Sequence, residues 1–223
     1  MAQDTIWTLP NILTIARIAL APVIALLPFI NGWVPKLVAF VVFVVAAVSD
    51  IYDGRLARQR GETTDLGKLL DPLADKLLLV ATLIPIYWIT RYPMAQYEIP
   101  WWGNLPLWAL VLLIGREVAM TVFRQLAKRR GVVIAAGGAG KLKTIVQDIF
   151  IGAIFLWFAW KDMATAFGWR QGWLGTWWER FHGTVVAATL LVAVLLTVYS
   201  LGVYVYRHRD LFTRSPSPSG DGR

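Results

Sequence analysis

With 223 residues, 57% of them hydrophobic and only 16% charged, the chain departs from the composition of a water-soluble domain, and a mean hydropathy of +0.55 makes the bilayer its expected solvent. Disorder, collagen and coiled coil are excluded on the same grounds, and the lack of cysteine excludes disulfides, thiolate metal sites and cysteine nucleophiles. The formal charge of +8 is read as basic loops that set topology and meet anionic membrane lipids, not as a nucleic-acid surface.

In chain order, residues 1–10 carry Ile6, Trp7 and Leu9 and are expected to form a short interfacial segment along the headgroups. Six apolar stretches follow, near 12–30, 35–57, 69–90, 105–127, 140–160 and 184–206. Each is close to the roughly 20 residues that a helix needs to cross a bilayer. They lack the alternation of a membrane barrel, and a backbone in lipid must satisfy its own hydrogen bonds. The prediction is therefore an all-α integral membrane domain of six transmembrane helices over residues 11–208. The first stretch has no basic region before it and no small-residue cleavage site after it, and Arg17 interrupts it, so it is expected to be retained rather than removed as a signal. Residues 209–223 end in a Ser/Pro/Gly run from Ser215 and predict a disordered tail. The sequence holds no internal repeat.

Fourteen Lys and Arg residues fall in the second and fourth loops and the tail, against five on the other side: Lys36, Arg91, Lys161, Arg170 and Arg180. The positive-inside rule then turns both termini and these two loops to the cytoplasm, as in a multi-pass protein of a bacterial inner membrane. Trp101, Trp102, Trp169, Trp173, Trp177 and Trp178 gather on the outer side as an interfacial belt. His182, beside the outer loop, and His208, in the tail, are isolated and expected to face solvent. The run Gly137-Gly138-Ala139-Gly140-Lys141 is not a phosphate-binding P-loop, because Ala135 stands where its first glycine belongs and Leu142 where Ser or Thr must hold the metal.

Charge at membrane depth costs roughly 2.5–3.5 kcal/mol per group, so intramembrane acids are candidate functional residues. Asp50 and Asp53 lie three apart near the end of the second helix, and Asp71 and Asp75 four apart near the start of the third, each pair on one helical face. A hairpin between these helices brings both faces together. Four carboxylates in such proximity repel, and divalent cations between them relieve the repulsion; oxygen-only ligands favour Mg²⁺, Mn²⁺ or Ca²⁺. Gly54 and Ala57 keep the face free of bulk, and the Arg58 guanidinium suits a phosphate.

The stretch Asp50-Ile-Tyr-Asp53-Gly54-Arg-Leu-Ala57-Arg58, with Gly67, Asp71 and Asp75 after it, resembles the signature of the CDP-alcohol phosphotransferase family at every signature position. The resemblance implies an integral membrane enzyme, usually a homodimer, that moves a phosphatidyl or similar group from a CDP-linked donor to an alcohol with two divalent ions, Mg²⁺ or Mn²⁺, and releases CMP. It implies metal ligation by Asp50, Asp53 and Asp71, with Asp75 contacting the second metal and acting as base. It further implies contact of Gly54, Arg58, Thr64 and Gly67 with the cytidine diphosphate.

A second region, Arg116-Glu117 and Gly140-Lys141-Leu142-Lys143-Thr144, is similar to members of that family that join CDP-diacylglycerol to sn-glycerol 3-phosphate, as is the opening Leu9-Pro-Asn11-Ile-Leu-Thr14-Ile-Ala-Arg17. Arg116, paired with Glu117 or a phosphate, forms with Lys141 and Lys143 a candidate pocket for a phosphorylated acceptor. Ala135 to Ala139 departs from the serine these members commonly carry before the Gly-Lys run, which leaves inositol phosphate or phosphatidylglycerol open as acceptors. Asn11, Thr14 and Arg17 either line the nucleotide side or cap and snorkel at the first helix end. A cation transporter is the reading from another class, but its sites sit at the membrane midplane across repeats.

Overall fold

The structure, a computed structural model, describes residues 8–60, 64–91, 97–129, 138–169 and 172–207, without the side chains of 51, 53–60, 65, 68, 128, 129, 138, 139, 141 and 207. The interfacial segment up to residue 7, the predicted tail and His208 lie outside the described residues. All six predicted helices are present: α1 (Leu9–Leu26), which runs into a 3₁₀ turn at Leu27–Phe29, α2 (Trp33–Arg60), α3 (Asp65–Ile89), α4 (Leu107–Arg129), α5 (Gly138–Ala166) and α6 (Trp173–Arg207). Among the described residues there is no β-strand. Thr8 caps α1 by accepting from the Asn11 N–H, with Pro10 in the first turn where its missing N–H leaves nothing unpaired. Thr64 caps α3 through Gly67 N–H at 3.0 Å. Helix α6 begins 11 residues before the predicted stretch at 184 because a helix continues past the point where its apolar composition stops.

The helices close a ring in the order α1, α2, α5, α6, α4, α3, each packed against its two neighbours. Phe43, Leu83, Leu113, Phe150, Phe158 and Leu190 fill the interior, and Ala39, Ala46, Ala109, Ala187 and Ala193 let the backbones approach. In lipid, close packing of this kind rather than exclusion from water favours helix association. The outside is equally apolar: Val34, Val38, Val41, Val45 and Val48 form an exposed row along α2 while Ala39, Phe43 and Ala46 face inward.

Four segments are long and apolar enough to cross a membrane: Leu9–Phe29, Trp33–Asp50, Leu142–Ala166 and Trp173–Tyr206. The prediction of six crossings is thus met by length and composition in four, because α3 places Asp71, Asp75 and Lys76 in its first half and α4 carries Arg116-Glu117 at mid-length.

At the end of the ring away from the carboxylates, charges counted in the sequence as loop determinants are buried in pairs. Lys36 meets Asp162 at 2.8 Å with both side chains under a tenth exposed, and donates to the Ile30 carbonyl at 3.0 Å. Tyr97 donates to the same Asp162, and Lys161 pairs with Glu179 while lying over the Trp157 ring. The expectation of a solvent-facing His182 is corrected here. Its ring is buried, stacks on Trp157 and bonds the Ala153 carbonyl at 2.8 Å, since α6 turns this position toward α5 rather than into the loop. Next to it, Gly183 accommodates Pro100, whose Cγ would lie 2.6 Å from an added Cβ.

Removing one partner of a buried ion pair strands the other. Asp162→Ala is therefore expected to lower the thermal unfolding midpoint in detergent by about 10 °C, and Lys36→Met with Asp162→Leu to recover most of that loss. Circular dichroism on the single and double variants checks it.

Candidate active site

Helix α1 organises the acidic end of the ring. Asn11, Thr14 and Arg17, spaced by three, share one buried face and each reaches a different part of α2 or α3. Arg17 bonds Asp50 of α2 and Asp75 of α3, the latter at 3.2 Å. Thr14 donates to Asp71 at 2.8 Å. Asn11 exchanges hydrogen bonds with the Thr64 hydroxyl at 2.9 and 3.0 Å. Of the two roles left open for these residues, capping and snorkelling do not apply: Thr8 caps the helix, and the Arg17 side chain is 2% exposed at the back of the cluster. The Asp50 and Asp75 side chains are 46% and 58% exposed, so their free oxygens open to the mouth of the site while the cation that binds them sits behind.

Gly67 lies where α3 passes Asn11. An added Cβ would stand 2.7 Å from Asn11 Oδ1 and 3.2 Å from Thr64 Oγ1, so any side chain here must displace the Asn11 amide from its bonds with Thr64.

On the opposite wall, Arg116 of α4 and Lys143 of α5 both donate to one oxygen of Glu117, each at 2.7 Å. Lys143 is 1% and Arg116 8% exposed. Between the walls is a chamber of about 120 Å³ bordered by Arg17, Asp50, Asp75, Glu117, Lys143 and Gln147. Phe43, Ala47 and Asp148 border this chamber and also an apolar groove of about 510 Å³ between α2, α5 and α6.

The structure therefore gathers Asp50, Asp71, Asp75, Thr14 and Arg17 into one cluster, with Lys143 across the chamber, Arg116 joined to Lys143 through Glu117, and Asn11, Thr64 and Gly67 one step along α1. The side chains of Asp53, Arg58 and Lys141 and the surroundings of Gly54 lie outside the described residues. Among the described residues no three acidic or histidine groups are close enough to form a metal site by themselves. Sequence reasoning missed Gln147 and Asp148. Their signal was available: they follow Lys143 by four and five residues, continuing its polar face one turn into an apolar run.

The family described as CDP-alcohol phosphatidyltransferase matches residues 7–199. The chain is 39% identical over 151 residues to a protein of Mycobacterium tuberculosis (strain ATCC 25618 / H37Rv) named probable phosphatidylglycerophosphate synthase, a match spanning 66% of either chain. It is 37% identical over 162 residues to a CDP-diacylglycerol--glycerol-3-phosphate 3-phosphatidyltransferase of Bacillus subtilis (strain 168), covering 67% of this chain and 77% of that one. To the protein of the same name from Pectobacterium atrosepticum it is 32% identical over 206 residues, covering 89% and 93%.

Gly67→Ala is expected to push α3 from α1 and cost about 1–3 kcal/mol. Asn11→Ala, which removes the obstructing atoms, restores part of the stability in the double variant. Thermal unfolding of the two single variants and the double variant measures the coupling.

Proposed function

The chain belongs to the CDP-alcohol phosphatidyltransferase family, and on that premise we propose that it transfers the phosphatidyl group of CDP-diacylglycerol to sn-glycerol 3-phosphate, giving phosphatidylglycerophosphate and CMP. The observation that carries this reading is the facing of two unlike walls across one chamber: carboxylates held by Arg17 on one side, and on the other the buried Lys143 with Glu117, which Arg116 backs through a bond to the same Glu117 oxygen. The names of the bacterial relatives support the same substrates. The buried cation pair favours an acceptor that carries its own phosphate, so inositol phosphate remains the second candidate and serine is disfavoured.

In this reading the acceptor hydroxyl oxygen bonds to the phosphatidyl phosphorus, the phosphorus–oxygen bond to CMP breaks, and the hydroxyl proton passes to a carboxylate oxygen of Asp75. Asp75 opens to the mouth of the site, which suits a group that must meet substrate. Arg116 and Lys143, with Lys141, hold the acceptor phosphate. Asn11, Thr14, Gly54, Arg58, Thr64 and Gly67 serve the cytidine diphosphate side. Asp50, Asp53, Asp71 and Asp75 would hold two divalent ions, Mg²⁺ or Mn²⁺, which when bound neutralise charge on the transferring phosphoryl group. The all-oxygen donor set supports this, as does the way Arg17 already sets a positive charge between Asp50 and Asp75.

We place the site at the cytoplasmic face of a bacterial inner membrane in a homodimer, with α3 and α4 completing six crossings. The excess of Lys and Arg in the second and fourth loops and the tail, fourteen against five, supports the orientation. A site at a membrane surface lets the donor's acyl chains stay in lipid while its nucleotide reaches water.

The deciding experiment is CMP release from CDP-diacylglycerol by purified protein offered glycerol 3-phosphate, inositol phosphate, serine and phosphatidylglycerol in turn; release with glycerol 3-phosphate alone is expected, and release only with another acceptor overturns the assignment. Asp75→Asn abolishes turnover and spares donor binding. Lys143→Ala raises KM for glycerol 3-phosphate by about tenfold or more and leaves that for the donor nearly unchanged. Chelation with EDTA stops the reaction, and added Mg²⁺ or Mn²⁺ restores it.

A further inference from the structure

Gln147 and Asp148 have no part in the chemistry above, yet both border the chamber that Asp50, Asp75 and Lys143 share. Gln147 is 4% exposed, and its amide oxygen is buried without a hydrogen-bond partner among the described residues. An amide in that position is costly to leave unpaired. Of the donors that share the chamber, Lys143 and Arg17 bond carboxylates and Thr144 donates to the Gly140 carbonyl at 3.1 Å. Phe43, Leu78, Leu79 and Ile151 present carbon, and the Thr82 hydroxyl already donates to the carbonyls of Leu78 and Leu79 at 2.9 and 3.0 Å. A group that enters the chamber can supply the missing partner.

Its chemistry follows from the neighbours. A phosphate brings only acceptors and negative charge, which the amide oxygen and the Asp148, Asp50 and Asp75 carboxylates would oppose; it belongs with Lys143 and Arg116. A hydroxyl donates to the amide oxygen and to a carboxylate alike. Turned by 180°, the same amide offers N–H groups, which a hydroxyl also satisfies, so the argument does not depend on the amide's assignment.

We propose that Gln147, with Asp148 beside it, forms a hydroxyl-recognising subsite that holds the acceptor's second, non-reacting hydroxyl and so selects a polyol phosphate over a phosphate bearing a single alcohol. This rests on the acceptor assigned above and adds a determinant of specificity to it. Helix α5 then reads the acceptor at two points, its anion at Lys143 and its spare hydroxyl one turn deeper.

The test compares sn-glycerol 3-phosphate with 3-hydroxypropyl phosphate, which keeps the phosphate and the attacking primary alcohol but lacks the middle hydroxyl. Both are offered to the full chain with CDP-diacylglycerol in mixed micelles and Mn²⁺, and CMP release is followed. The natural chain is expected to favour glycerol 3-phosphate in kcat/KM by about tenfold or more, and Gln147→Met to bring that ratio to within about threefold of unity. Asp148→Asn is expected to lower the ratio in part and serves as the readout if the methionine variant does not fold. A natural chain that uses both acceptors equally overturns the subsite, as does undiminished preference in the variants. No release with either acceptor overturns the acceptor assignment, and the subsite with it.

Discussion

Everything at the acidic end depends on one buried guanidinium. Arg17 lies at the back of the cluster, almost fully enclosed, and ties Asp50 of α2 to Asp75 of α3. Without it, two carboxylates from separate helices would repel each other across the helix interface. With it, the repulsion becomes a crosslink among three helices, made from the first helix by a residue that an apolar count treats as an interruption. A buried charge is tolerable only when paired, and here the pairing consumes one side of each carboxylate and leaves the other free. The arrangement thus stabilises the bundle and prepares a negative surface in the same contact.

The opposite wall solves the converse problem. Two cations, Arg116 and Lys143, converge on a single oxygen of Glu117, so three charges from α4 and α5 leave a net unit of positive charge in a nearly dry setting. An anion arriving there meets donors already oriented. The ring closes through α4, and the packing of α2 on α5 and of α3 on α4 holds this wall opposite the carboxylates. The remote end, with Lys36 and Asp162 sealed between α2 and α5 and Pro100 seated on Gly183, anchors that spacing.

Much of this was readable from the residues. The six helices follow from apolar length, and the meeting of Asp50 with Asp71 and Asp75 from spacings of three and four across a hairpin. Arg116 and Lys143 were recoverable because charges in apolar runs must find partners. What could not be read was long-range pairing. Nothing local to Arg17 distinguishes an arginine that snorkels from one that enters the bundle, and the choice is made by two carboxylates 33 and 58 residues away. His182 failed for a related reason: its place beside a Trp-rich loop suggested water, whereas its helical phase turned it onto Ala153. Gln147 and Asp148 did carry a signal, as polar residues following Lys143 inside an apolar helix, but which wall they face is set by the packing of α5.

The apolar groove between α2, α5 and α6 and the polar chamber share a wall at Phe43, Ala47 and Asp148. In the proposed reaction, a donor whose tails follow that groove would reach the chamber sideways from within the bilayer. Its search is then confined to a plane, and saturation is governed by how crowded the leaflet is with that lipid rather than by any bulk molarity. Diluting the donor with inert phospholipid slows such a catalyst even when the amount of each in the tube is unchanged.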